Sequence, residues 1–144
     1  MYIHMATKQV IVMRNDLNMR KGKMIAQGSH ASMSFLTKDM IIGSYSELEV
    51  GTGMYKHFSR GQVDMTDDAK EWLRDSFTKI TVQVSSEEEL IQIHEKAIQA
   101  GLTTHLIKDA GRTEFGGVPT YTCCAIGPNQ AEKIDEITGD LRLL

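Results

Sequence analysis

Several things are scarce in this chain of 144 residues. It has two prolines, two cysteines, one tryptophan and 6% aromatic residues overall. Nowhere does it hold an apolar run near the roughly 20 residues that a membrane helix needs. The opening Met1-Tyr2-Ile3-His4-Met5-Ala6 lacks the charged-then-apolar order of a secretory signal. No membrane association is therefore expected, and a cytoplasmic location is the simplest reading. The two cysteines, Cys123 and Cys124, are neighbours in a strand-like run. Successive strand residues point to opposite faces, so a mutual disulfide is not expected and reducing surroundings suit the pair. No charge of one sign dominates, because 16 Lys and Arg oppose 19 Asp and Glu for a net charge of -3. That total argues against indiscriminate nucleic-acid binding and leaves room for a local basic patch.

What is present fits one globular domain spanning residues 1–144, with 41% hydrophobic and 24% charged residues. Residues 1–7 read as disordered. Residues 9–13, Gln-Val-Ile-Val-Met, form a short apolar run of the kind that makes a strand covered on both faces. Turn formers follow in Arg14-Asn15-Asp16-Leu17-Asn18-Met19, and Arg20-Lys21-Gly22-Lys23 sets three cations within four residues. From Lys23 to about Leu36 the pattern is helical. Met24, Gly28, Ala31 and Phe35 form the stripe expected to face a sheet, and Lys23, Gln27, His30 and Ser34 form a polar stripe beside it.

Residues 37–66 carry four glycines and no sustained period, and are expected to be an irregular insertion with short helical pieces. Its Lys56, His57 and Arg60 are candidates to touch a polyanion, set against the blander reading of a solvated loop. Thr66 followed by Asp67 and Asp68 reads as a capped helix start. Residues 80–84 are a β-branched strand, Ser86 to Glu89 a capping box opening a helix that closes before Gly101, and residues 104–108 the next strand. Strand, helix and strand in that order make a βαβ unit. A strand over residues 120–126, the turn Gly127-Pro128 and a helix stopping at Gly139 complete the chain. The expected architecture is a three-layer α/β/α domain with a mixed sheet of about four strands.

The polar residues concentrate in two places, the segment from Arg14 to Lys23 and Asp109-Ala110-Gly111-Arg112-Thr113 at a strand end. By itself the second is an ordinary turn, since Asp and Gly suit turns for backbone reasons. If the first strand runs the same way as the one ending at Lys108, both stretches share the sheet edge where ligands bind in such folds. Other chemistries are excluded by motif. Gly22-Lys23 lacks the earlier glycine of a phosphate loop and has Met24 in place of Ser or Thr. The histidines His4, His30, His57, His94 and His105 have no metal-site spacing, the cysteines no C-x-x-C, and no G-x-S-x-G elbow exists. No metal or cofactor is expected.

Taken together, Arg14-Asn15-Asp16-Leu17-Asn18-Met19, Gly22-Lys23, Ala26-Gln27, His30-Ala31, Asp109-Ala110-Gly111-Arg112-Thr113, Ala125-Ile126-Gly127-Pro128 and Thr138-Gly139-Asp140-Leu141 resemble the archaeal and eukaryotic type of peptidyl-tRNA hydrolase, in order and from Lys8 to Leu144. The resemblance implies metal-independent hydrolysis of the ester joining a nascent peptide to the terminal ribose of tRNA, and a homodimer. Carried over by position, it implies catalytic roles for Lys23, Asp109 and Thr113, with Thr122, Gln27 and His30 as neighbours that bind substrate. Arg14, Arg20, Lys21, Lys108 and Arg112 would then hold phosphates. Two departures stand out: the length of residues 37–66, and the glycine-containing loop from Glu114 to Pro119. The competing reading is a non-catalytic module on the same scaffold that binds RNA ends or a protein.

Overall fold

The computed structural model describes residues 6–144. In chain order the elements are β1 (Thr7–Arg14), α1 (Lys21–Thr37), β2 (Ile41–Leu48), β3 (Tyr55–Gln62), α2 (Asp67–Arg74), β4 (Lys79–Val84), α3 (Glu87–Gln99), β5 (Thr104–Asp109), β6 (Thr120–Gln130) and α4 (Ala131–Thr138). Four strands form one mixed sheet in the order β4-β1-β6-β5, in which β1 is parallel to β4 and antiparallel to β6, and β5 is antiparallel to β6. Helices cover both faces, as expected of an α/β/α domain.

Side-chain alternation along the strands builds two cores. Val10 and Val12 of β1 pack with Leu90, Ile93 and Ala97 of α3 and Ile134 of α4 on one face. Ile11 and Met13 pack with Ala31 of α1 on the other. The adjacent cysteines divide the same way, Cys123 beneath α1 and Cys124 in the opposite cluster. Both are free, and burial pushes the Cys123 thiol up to about 11.

Three expectations are corrected. Residues 37–66 are not irregular. They hold β2 and β3, paired antiparallel in unbroken register from Ile41 opposite Gln62 to Leu48 opposite Tyr55. The strands escape a pattern reading because neither face is buried, and without a buried face nothing imposes apolar and polar alternation. Secondly, Thr7 is not part of a disordered leader. It opens β1 at 2% exposure, paired with Gln130; residues 1–5 lie outside the described residues.

The expected unit of β4, α3 and β5 is present, with both strands running the same way and β1 and β6 lying between them. Strands β1 and β6, buried on both faces, take the centre, and the more exposed β4 and β5 take the edges. The hydrogen-bonded parallel pair is β1 and β4. Thirdly, Gly127-Pro128 does not end the last strand. The pairing shifts so that these two residues oppose Gln9 alone, between Lys8 opposite Asn129 and Val10 opposite Ile126. A bulge tolerates a proline that has no N–H to give to the ladder.

Candidate active site

Helix α1 begins at Lys21, half a turn earlier than the periodicity suggests, with Arg20 extended at the cap and no side-chain cap bond. Its first turn contains no acid, so Arg20, Lys21 and Lys23 gather at the end where the helix dipole already disfavours cations. The loop before it contains Asn18 in the left-handed region at φ 52°, a conformation that asparagine tolerates better than most residues. Buried Met19 anchors that loop to the core beneath α1. Because β1 and β5 run the same way, their carboxyl ends share one edge of the sheet. The α1 entrance and Asp109, the last residue of β5, therefore meet.

They meet through hydrogen bonds. The Lys23 Nζ donates to Asp109 Oδ1 at 2.9 Å and to Thr113 Oγ1 at 3.0 Å. Gln27 Nε2 donates to the same Asp109 oxygen at 3.1 Å, and the Gly111 N–H donates to Oδ2 at 2.9 Å. Lys23 and Asp109 are both 14% exposed in their side chains, which leaves the pair partly screened and still reachable. The hydrogen bond from Lys23 is the main reason that the Asp109 carboxyl is held below its ordinary value. Burial opposes that shift, and the Gly111 N–H and Gln27 amide add to it.

Behind Asp109 stands a second row of bonds. The Thr122 hydroxyl, fully buried, donates to Gln27 Oε1 at 2.6 Å, and the Cys123 thiol donates to the Gln27 carbonyl at 3.4 Å. Two consecutive strand residues reach the same helix residue, which regular alternation forbids. The β5–β6 register explains it. Ile107 opposes Cys123 and Lys108 opposes Tyr121, so Thr122 is an extra residue in the ladder. This bulge turns Thr122 toward α1. Gln27 thereby accepts a hydrogen bond on its oxygen and presents its amide N–H to Asp109.

The turn after β5 depends on Gly111. Its φ is +79°, and a Cβ there would lie 2.2 Å from the Val118 carbonyl oxygen. Only glycine fits where the loop folds back on itself, and the same residue's N–H binds Asp109.

Residues 7–144 match the model of the family described as "Peptidyl-tRNA hydrolase PTH2". The chain belongs to this family. A peptidyl-tRNA hydrolase of Methanocaldococcus jannaschii is 44% identical over 137 residues, covering 95% of this chain and 99% of the relative. One from Sulfurisphaera tokodaii is 42% identical over 140 residues, covering 97% and 100%, and one from Methanothermobacter thermautotrophicus is 39% identical over 137 residues, covering 95% and 99%.

In this member of the PTH2 family, a polar groove of about 460 Å³ runs from Asp109 between α1 and β5. Gln27, His30, Ser34 and Thr37 line it from the helix, and Lys108 lies on the strand side. The polar stripe of α1 is thus one wall of a groove. Thr37, one step further along that stripe, was not anticipated and was findable by extending the period. Phe115 was also missed. Its ring centroid lies 5.6 Å from Lys23 Nζ, and no spacing rule points from the loop after Thr113 to Lys23.

The expected phosphate ligands fall into two groups. Arg20, Lys21, Lys108 and Arg112 are exposed, and the Lys108 ammonium lies over the Tyr121 ring at 4.9 Å. Arg14 is different. It is buried, its Nε and Nη2 donate to the two Asp16 carboxylate oxygens at 3.0 and 2.7 Å, and Nη1 donates to the Tyr121 carbonyl at 3.0 Å. Its charge is committed to fixing the loop. A larger groove of about 670 Å³ crosses α1, with Met24, Ile25, Met33 and Phe77 among its lining. It is apolar, and among the described residues its ionisable side chains are Lys21 and Lys79.

Proposed function

We propose that this chain hydrolyses peptidyl-tRNA at the Lys23–Asp109 pair, cleaving the ester that joins the peptide to the terminal ribose. The supporting observation is a single ammonium, Lys23, bonded at once to Asp109 and Thr113 at the mouth of a polar groove. Names of relatives that cover nearly their full length point the same way.

In this proposal a water oxygen bonds to the ester carbonyl carbon and the water loses a proton. The bond from that carbon to the ribose oxygen then breaks, and the ribose oxygen takes up a proton. The products are a peptide with a free carboxyl group and tRNA with a free hydroxyl. An ionised carboxylate offers about four acceptor positions, and Asp109 already uses three of them. The remaining position holds the water. A carboxyl held low is a weak base, so Asp109 orients the water and the proton leaves through solvent. The Lys23 ammonium has three protons and spends two on protein oxygens. Its third faces the oxygen on which negative charge develops. Thr113, having accepted from Lys23, keeps its own hydroxyl proton for the substrate. Gln27 and Thr122 position Asp109, and His30 binds along the groove.

Arg20, Lys21, Lys108 and Arg112 contribute phosphate contacts that hold tRNA without reading its sequence. A single domain of residues 1–144, a homodimer and a cytoplasmic location complete the proposal. Lys23→Ala and Asp109→Ala are each expected to lower kcat on peptidyl-tRNA by about 100-fold or more while the protein remains folded. The wild-type protein is expected to spare aminoacyl-tRNA, whose amine is free. Full turnover in both variants overturns the site, and tight binding of peptidyl-tRNA without cleavage by the wild type overturns the activity in favour of a binding module.

A further inference from the structure

The β2–β3 ribbon is unused by the chemistry above. Of its sixteen strand residues only Gly43 and Phe58 are less than exposed. At eight residues per strand it extends about 27 Å, far longer than a connection between α1 and α2 requires. A two-stranded ribbon has little stability of its own, and this one leaves Ile41, Ile42, Leu48 and Tyr55 in solvent.

One face of the ribbon is built. Alternation and register put Tyr45, Phe58, Gly43, Arg60, Glu47 and Lys56 on the same side. The Tyr45 and Phe58 rings are stacked, with centroids 5.8 Å apart and planes 19° apart. The Arg60 guanidinium lies over both, 4.6 Å from the Phe58 centroid and 5.6 Å from that of Tyr45. Gly43 makes this possible, because a Cβ there would lie 2.9 Å from the Tyr45 ring. Arg60 makes no ion pair among the described residues. Glu47, the acid on this face, pairs in register with Lys56 toward the tip. A guanidinium plane resting on paired aromatics, with no carboxylate to answer it, suits a flat π-system joined to an anion. Unpaired nucleotides have that chemistry.

Position supports the same partner. The polar groove from Asp109 ends at Thr37, and β2 begins four residues later at Ile41. The ribbon therefore rises where the groove ends. We propose that this face of the ribbon stacks unpaired bases of the RNA substrate, with Tyr45, Phe58 and Arg60 as the platform and Lys56 as a phosphate contact. The inference rests on the proposed peptidyl-tRNA hydrolysis and adds a second contact surface to it.

The test compares two substrates, peptidyl-tRNA and an N-acetyl-aminoacyl ester of adenosine, too short to reach the ribbon from the site. Stacking one base is worth on the order of tenfold in affinity. Phe58→Ala and Arg60→Gln are each expected to raise KM for peptidyl-tRNA about tenfold, with kcat and turnover of the adenosine ester unchanged. Gly43→Val keeps every charge and ring but displaces Tyr45, and is expected to act in the same direction. Arg60→Gln alters only an exposed side chain, so it decides the matter if Phe58→Ala melts the ribbon. An unchanged KM for peptidyl-tRNA overturns the proposal, as does an equal change on both substrates. A shift in sedimentation without a shift in KM also overturns it, since the face then belongs to a second copy. Failure of the parent reading looks different: wild-type protein cleaves neither substrate, or Lys23→Ala cleaves both normally.

Discussion

Asp109 accepts from an ammonium, an amide and a backbone N–H, so its environment is built for the ionised form. Its native pKa lies below the ordinary value of 3.8. As pH falls, the unfolded chain therefore takes up this proton first. The stabilisation from the Lys23–Asp109 pair is complete above the ordinary value and is lost as pH falls through the native one. Lys23→Met removes the largest cause of the depression. The Asp109 pKa is expected to rise toward 3.8 in that variant, followed through the side-chain carboxyl carbon by NMR. The melting difference between wild type and variant should be constant at neutral pH and shrink in acid. No upward movement would transfer the effect to Gly111 and Gln27. At this scale the helical stripe with Lys23 and Gln27 and the turn with Asp109 and Thr113 were legible in the sequence as two polar stretches, and only the family resemblance gave their residues roles. The work of Thr122 was not, because its aim comes from a bulge between two strands.

Helices were easier to read than strands because their ends carry local chemistry. Ser86 Oγ accepts from the Glu89 N–H at 3.1 Å, and Glu87, Glu88 and Glu89 occupy the first turn of α3. Thr66 does the same for Ala69 at the start of α2. Ser86→Ala leaves the Glu89 N–H without this acceptor and is expected to cost about 1 kcal/mol in denaturant melts. Turnover should be retained, since α3 lies on the sheet face away from Lys23. A loss well under half that size would show that water replaces the hydroxyl. The ribbon was illegible for the opposite reason. Its strands answer to no core, so their order comes from cross-strand pairing alone.

Across the whole molecule the net charge is -3, yet Arg20 and Lys21 precede the Lys23–Asp109 pair while Lys108 and Arg112 flank Asp109 in the chain. Acids elsewhere, such as the run at the start of α3, carry the balance. KM for peptidyl-tRNA is expected to rise with salt, because each phosphate contact releases counterions. The double variant Arg20→Ala, Lys21→Ala should weaken binding and reduce the log–log salt slope by about 1 to 2, with kcat at saturation unaffected. An unchanged slope would place the tRNA backbone elsewhere on the surface.

The sequence by itself determined the two-faced apolar strands, the helix starts, the opposite burial of Cys123 and Cys124, and the two polar stretches that hold Lys23 and Asp109. These depend on local periodicity and on side chains reaching backbone a few residues away. Tertiary structure alone decided which strands are central, that β2 and β3 pair outside the core, and that Thr122 turns toward Gln27. It also joined Lys23 to Asp109 across 86 positions of chain. Each of these is a relation between segments that neither segment encodes alone, fixed only when sheet order and register bring them together.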